Sequence, residues 1–122
     1  MTLTNNEIYV YTRQLMDAFQ DGEQKLPIKI NFYLQKNKNT LLGLAQDIEK
    51  ARLEIAQNYG TLDDAGEQYV IPNDKLAEAS KELEDLFNLE QEVDIYKINI
   101  ESLSDDLMLS AAQMEALMFM ID

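Results

Sequence analysis

The sequence predicts an α+β domain that is mostly helical: a long antiparallel helical hairpin with a small β-sheet at one end and flanking N- and C-terminal helices. Three observations predict it. Apolar residues recur at three- and four-residue spacing through most of the stretch between Pro27 and Asn58. Capping signatures, Thr4 with Glu7 and Ser110 with Gln113, mark helix starts near both ends of the chain. Two short runs rich in β-branched residues, "QYVI" and "VDIYKINI", supply strand patterns. The chain has 122 residues, 46% hydrophobic and 27% charged, which fits one domain spanning residues 1–122. Its aliphatic content and periodicity argue for a folded chain despite a net charge of -13.

The first helix follows Thr4, with Ile8, Tyr11, Leu15 and Phe19 on one face and Gly22 as its natural stop. The next stretch is open to two readings. Ile28, Ile30, Phe32 and Leu34 alternate with polar or mixed positions, as in a strand. Pro27, however, suits the first turn of a helix, and Ile30, Leu34, Leu41, Leu44, Ile48 and Ile55 form one stripe. A single helix from about Pro27 to Asn58 is the preferred reading. After Gly60, "TLDDAGEQYVIP" carries turn chemistry and then a short strand ended by Pro72. Asn73 is the expected cap of a helix bearing Leu76, Ala79, Leu83, Leu86 and Phe87. "VDIYKINI" reads as a strand, expected to pair with "QYVI", because a small sheet must lean on a helix. "SLSDDLML" reads as a loop, and "AAQMEALMFMI" as the last helix.

These segments, in their order, resemble a family of small bacteriophage proteins of Gram-positive hosts that has no established activity. The residues that carry the resemblance are "LPIKINFYLQKN", "IEKARLEIAQNYG", "YVIP", "LEDLFNLEQEVDIYKINIESL" and "QMEALMFMI". It implies a phage origin and carries no site residues with it.

Composition excludes much chemistry. With no cysteine there are no disulfides or thiolate metal sites, and with no histidine the commonest metal ligand and general base are missing. The expectation is therefore a non-enzyme with no cofactor and no metal. The chain lacks an 18-residue apolar run, and "MTLTNNEIYVYTRQ" lacks the basic start and apolar stretch of a signal peptide. The expected place of action is the host cytoplasm, with no membrane partner.

The charge is uneven. No acid falls between Glu23 and Asp47, where four of the ten basic residues gather. From Glu82 to Asp122 eleven acids face the single Lys97. On a helix, Lys25, Lys29, Phe32 and Lys36 share one face. On a strand, Lys29 and Tyr33 do so instead. Ammonium groups beside an aromatic ring suit a phosphorylated ligand that carries a base. The expected ligand-binding residues are thus Lys25, Lys29, Phe32, Tyr33 and Lys36, set against the plainer reading of a solvated or internally paired basic face. Asn31, Asn37 and Asn39 add hydrogen-bonding capacity without specificity. Tyr9, Tyr11, Tyr59, Tyr69 and Tyr96 are weaker candidates for a pocket lining.

The carboxylates at 63–64, 82–85, 90–94 and 105–106 lack calcium-loop spacing and read as a solvated surface. Such a surface opposes direct nucleic-acid binding and is itself suited to mimic nucleic-acid phosphates. Four of the six methionines lie in the last fifteen residues. Met114, Leu117, Met118, Phe119 and Met120 look too apolar for one partner, which predicts a homo-oligomer through the last helix.

Three functions follow, in order of preference. The first is a phage counter-defence protein, an oligomeric sponge for an anionic nucleotide immune signal. The second is a structural or assembly accessory acting through protein contacts. The third is an acidic nucleic-acid mimic that occupies a host DNA-binding enzyme.

Overall fold

The computed structural model describes residues 1–19, 26–103 and 107–122. Chain order is β1 (Thr2–Thr4), α1 (Asn5–Ala18), α2 (Ile28–Tyr59), β2 (Thr61–Leu62), β3 (Tyr69–Val70), α3 (Leu76–Asn88), β4 (Glu90–Glu92) and α4 (Ala111–Leu117). The fold is α+β and mostly helical, with small antiparallel strand pairs. Single 3-10 turns precede α3, cover Ile100–Ser102 and follow α4.

The Thr4 hydroxyl accepts from the Glu7 N–H while the Glu7 carboxylate accepts from the Thr4 N–H, so α1 starts on a complete capping box. Ile8, Thr12 and Leu15 then point into the core. The expected stop at Gly22 lies outside the described residues. The 32 residues of α2 extend from Ile28 to Tyr59, so residues 28–34 are helical and the strand alternative is excluded. Its buried stripe is Ile30, Leu34, Asn37, Leu41, Ala45 and Ile48. The three- and four-residue steps keep that seam on one side of the helix.

Gly60 ends α2 where the chain passes close to β3. A Cβ there would lie 2.9 Å from the Val70 carbonyl oxygen and 3.0 Å from that of Ala56. The hairpin β2–β3 turns at Gly66, whose φ of 70° disfavours any residue with a Cβ. The chain then returns along α2 as α3, which completes the helical hairpin, with α1 packed against both and α4 against α1.

The sheet partners differ from expectation. "QYVI" pairs with Thr61–Leu62, not with "VDIYKINI". The second strand pair joins β1 to β4, with Leu3 opposite Gln91. Residues 93–97 run outside any strand, and only Ile98 makes a parallel bridge, to Ile121. Val93 is buried and Ile95 half-buried between exposed neighbours, but the alternation breaks at exposed Lys97 and buried Ile98, and a side chain takes the place of a strand partner. The Asn37 side chain accepts from the Tyr96 N–H at 2.8 Å and donates to the Tyr96 carbonyl at 2.9 Å. Asn73 does not cap α3, because a 3-10 turn over Asn73–Lys75 leads directly into it.

The core comprises Leu3, Ile8, Leu15, Ile30, Leu34, Leu41, Ile48, Val93, Ile98, Ala116, Leu117 and Met120. Each fully buried Leu, Ile or Met contributes about 1.5–3 kcal/mol relative to exposure. Among the described residues no buried side-chain polar atom lacks a hydrogen-bond partner. Asn5 shows how this is met: it donates to the Leu86 carbonyl at 2.7 Å and accepts from Gln91 at 2.6 Å, tying α1 to the last turn of α3 and to β4.

The last helix corrects an expectation. Ser110 and Gln113 form the anticipated capping box. Leu117 and Met120, however, are fully buried in the chain's own core, Met114 is half-buried, and Phe119 stacks on Tyr11 with ring centroids 4.7 Å apart. The switch to a 3-10 turn at Met118–Met120 produces this. Three residues per turn rotate Phe119 and Met120 inward where an α-helix would have spread them. Of the five residues assigned to an oligomer interface, only Met118, at 66% exposure, lies open. The apolar surplus that motivated that interface is absorbed within the chain.

Candidate functional site

Two places stand out: the exposed face at the start of α2, and a groove between α1 and α2.

The first carries the sequence-predicted ligand residues. Lys29, Phe32, Tyr33 and Lys36 follow one another at helical spacings of three, four and seven residues from Lys29, and α2 places them together. Lys25 lies outside the described residues. Each lysine rests on a ring of its own helix: the Lys36 Nζ is 5.5 Å from the Phe32 centroid and the Lys29 Nζ is 5.7 Å from that of Tyr33. Such contacts hold the ammonium groups in place without neutralising them. None of Lys29, Lys36, Lys38 and Lys97 forms an ion pair with a described acid. An internally paired basic face is thus not what the described residues present.

The two rings are not equivalent. Tyr33 stacks on Tyr96 at 5.2 Å with 28° between the planes, so Tyr96 and Lys29 already crowd it. Phe32 is 54% exposed and tilted 56° from Tyr33, which leaves it as the ring open to a further partner. Ile28, 88% exposed, stands one turn before it.

The fold adds what the linear order conceals. The Asn37 bracket fixes the backbone of Tyr96, and the next residue, Lys97, joins Lys29, Tyr33, Asn99 and Asp122 around a cleft of about 170 Å³. The lone lysine of the acidic half therefore lies beside the basic window. No local pattern signals this, because it depends on a contact between residues 37 and 96. Asp122 partly offsets the two ammonium groups. The cleft accommodates a group of phosphate size and not a whole nucleotide, for which pockets of about 300–1,000 Å³ are usual.

The groove is larger, about 840 Å³, with walls that include Tyr9, Val10, Met16, Leu42 and Phe87. At its rim the Tyr9 hydroxyl donates to Glu49 at 2.6 Å, and Arg52 Nε donates to the same carboxylate at 3.0 Å. Arg52 first, and the Tyr9 hydroxyl second, hold the Glu49 carboxyl down at about 2. Partial burial, reinforced by the Glu49 hydrogen bond, pushes the Tyr9 phenol up to about 12. These shifts belong to a stable paired network, in which a locked carboxylate is poorly placed to exchange protons near neutrality. Among the described residues no group of acidic side chains is arranged to hold a metal ion, and no helix is long and apolar enough to cross a membrane.

Comparison of the chain with protein-family models, curated proteins and solved structures returns no match.

Proposed function

We propose that the protein is a small binding protein, not an enzyme, that holds an anionic ligand with an aromatic base on the exposed face of α2. The observation that carries this reading is a set of lysines that meet no acid partner among the described residues: Lys36 lies on the open ring of Phe32, and Lys29 and Lys97 line the neighbouring cleft beside Tyr33. In a chain of net charge -13, an anion is repelled by most of the surface, and unmatched cations grouped together offer a place where it can be held. The ligand class is a nucleotide: phosphate meets Lys29 and Lys97 at the cleft, and the base stacks on Phe32, whose ring Lys36 already polarises. In the phage setting that the sequence resemblance implies, this is a counter-defence sponge that sequesters a nucleotide immune signal.

The acidic-mimic reading keeps one supporting observation. Asp74, Glu78, Glu82 and Asp85 are all exposed along α3 and its leading turn. Steps of four, four and three residues space them about 4.5–6 Å apart along the axis, a row of carboxylates that a basic groove could accept.

Calorimetric titration with mono-, di- and cyclic nucleotides tests the first reading. Binding tighter than millimolar is expected, weakened about tenfold or more in Lys29→Ala and Lys36→Ala. Absence of any binding by the parent protein defeats it. Tight association of the parent with a basic DNA-binding protein, unaffected by those lysine changes, favours the mimic.

A further inference from the structure

We propose that the groove between α1 and α2 is where a second copy of this chain docks, two α1/α2 pairs closing face to face into a four-helix bundle. The inference does not rest on the nucleotide reading, since it uses a different face of the molecule.

The first argument is the pattern on α1. Its core face is spent on Ile8, Thr12 and Leu15. A second face, Tyr9, Val10, Arg13 and Met16, recurs at three- and four-residue steps and turns toward the groove. Val10 and Met16 remain 42% and 38% exposed. α1 packs on α2, α3 and α4, yet Val10, Arg13 and Met16 stay exposed. On α2, Leu42, Ala45, Gln46 and Glu49 line the opposite wall at matching steps. Two parallel walls about three turns long form a trough shaped for helices.

Charge favours a second copy as the occupant. Two copies at -13 each repel over most of their surfaces. The groove is the exception. The chain has only two arginines, Arg13 and Arg52, and both line it, alongside the acids Asp17 on α1 and Glu49 on α2. The lining is therefore neutral, with equal numbers of each sign, so a copy meeting itself there faces no net repulsion. Arg13 forms no ion pair with a described acid and is available to a carboxylate across the interface. A two-fold contact repeats every such pairing twice.

The test is the solution mass of the intact chain, measured by light scattering and sedimentation. Twice the 14.0 kDa of one chain is expected at micromolar concentration, with association strengthened by added sodium chloride because screening relieves the repulsion outside the groove. Val10→Asp with Met16→Asp should give a monomer of unchanged helicity. Arg13→Glu, at an exposed position that the fold does not need, should weaken the dimer at least tenfold. Met118→Asp should leave it intact. A parent protein that is monomeric under these conditions overturns the proposal. So does a dimer that survives Arg13→Glu and the double variant, or one that Met118→Asp alone dissociates.

Discussion

The two halves of α2 use charge in opposite ways. In the second half, Glu49 is engaged by both Arg52 and Tyr9, and the three groups close on one another. In the first half, Lys29 and Lys36 lie on aromatic rings and meet no described acid. The same helix thus carries a closed network at one end and ring-seated cations at the other; Lys50 also meets no described acid, so what sets Lys29 and Lys36 apart is the aromatic ring beneath each. Charges that find partners inside the chain are explained by the fold, whereas the ring-seated lysines are those for which an outside partner is proposed.

The sharpest way to break the contrast is to remove the bracket that assembles the first half. Asn37→Leu fills similar space but leaves the Tyr96 N–H and carbonyl without partners, at about 1–3 kcal/mol each. A loss of about 3 kcal/mol is expected in urea unfolding, together with loss of the Tyr33–Tyr96 contact in the aromatic spectrum. A change below about 1 kcal/mol means that water satisfies Tyr96 and the bracket does not position the site.

Glu49→Gln probes the other half and should matter far less. The carboxylate and its arginine are both well exposed, so solvent screening limits the pair to about 1 kcal/mol or less at neutral pH. The pH dependence gives its sign. A carboxyl held at about 2 in the folded chain stabilises above the unfolded value near 4.3, and that contribution is lost as pH falls toward 2. Tyr9, raised to about 12, contributes below about 10, and that part is lost as pH climbs from 10 to 12. Tyr9→Phe should flatten the alkaline limb and leave nucleotide binding untouched.

The smallest expected effect is a rise in melting temperature of a few degrees on adding about 0.1 M salt, as screening relieves repulsion among 23 acids and ten bases. A flat or falling curve would show that structured partners already match the acids.

Much of the fold was legible because it is local. The spacing from Ile30 to Ile48 located α2 to within a residue at each end, and each capping box is written in four residues. The turn chemistry before Gly66 marked the hairpin bend, though not the strand that pairs there. Contacts made across the chain were not legible. The alternation of residues 93 to 100 announces a half-buried extended segment, and nothing in it reveals that a helix asparagine fills the partner's role. Asn37 was read as unspecific because one amide on an apolar stripe carries no label of its target. The apolar surplus of the last helix was legible too, but not the 3-10 turn that tucks Met120 into the core. The lysine–aromatic face was readable as a spacing. Its completion by Lys97 was not.

On the proposed function, α2 offers its first half, and not its second, to an anionic ligand. Backbone amide NMR during titration of the intact protein with a nucleotide diphosphate tests it most directly. Saturable shifts are expected at Lys29–Lys36 and Lys97–Asn99, with Glu49–Tyr59 unmoved. Shifts confined to the Glu49–Arg52 region, or none at millimolar ligand, would contradict it.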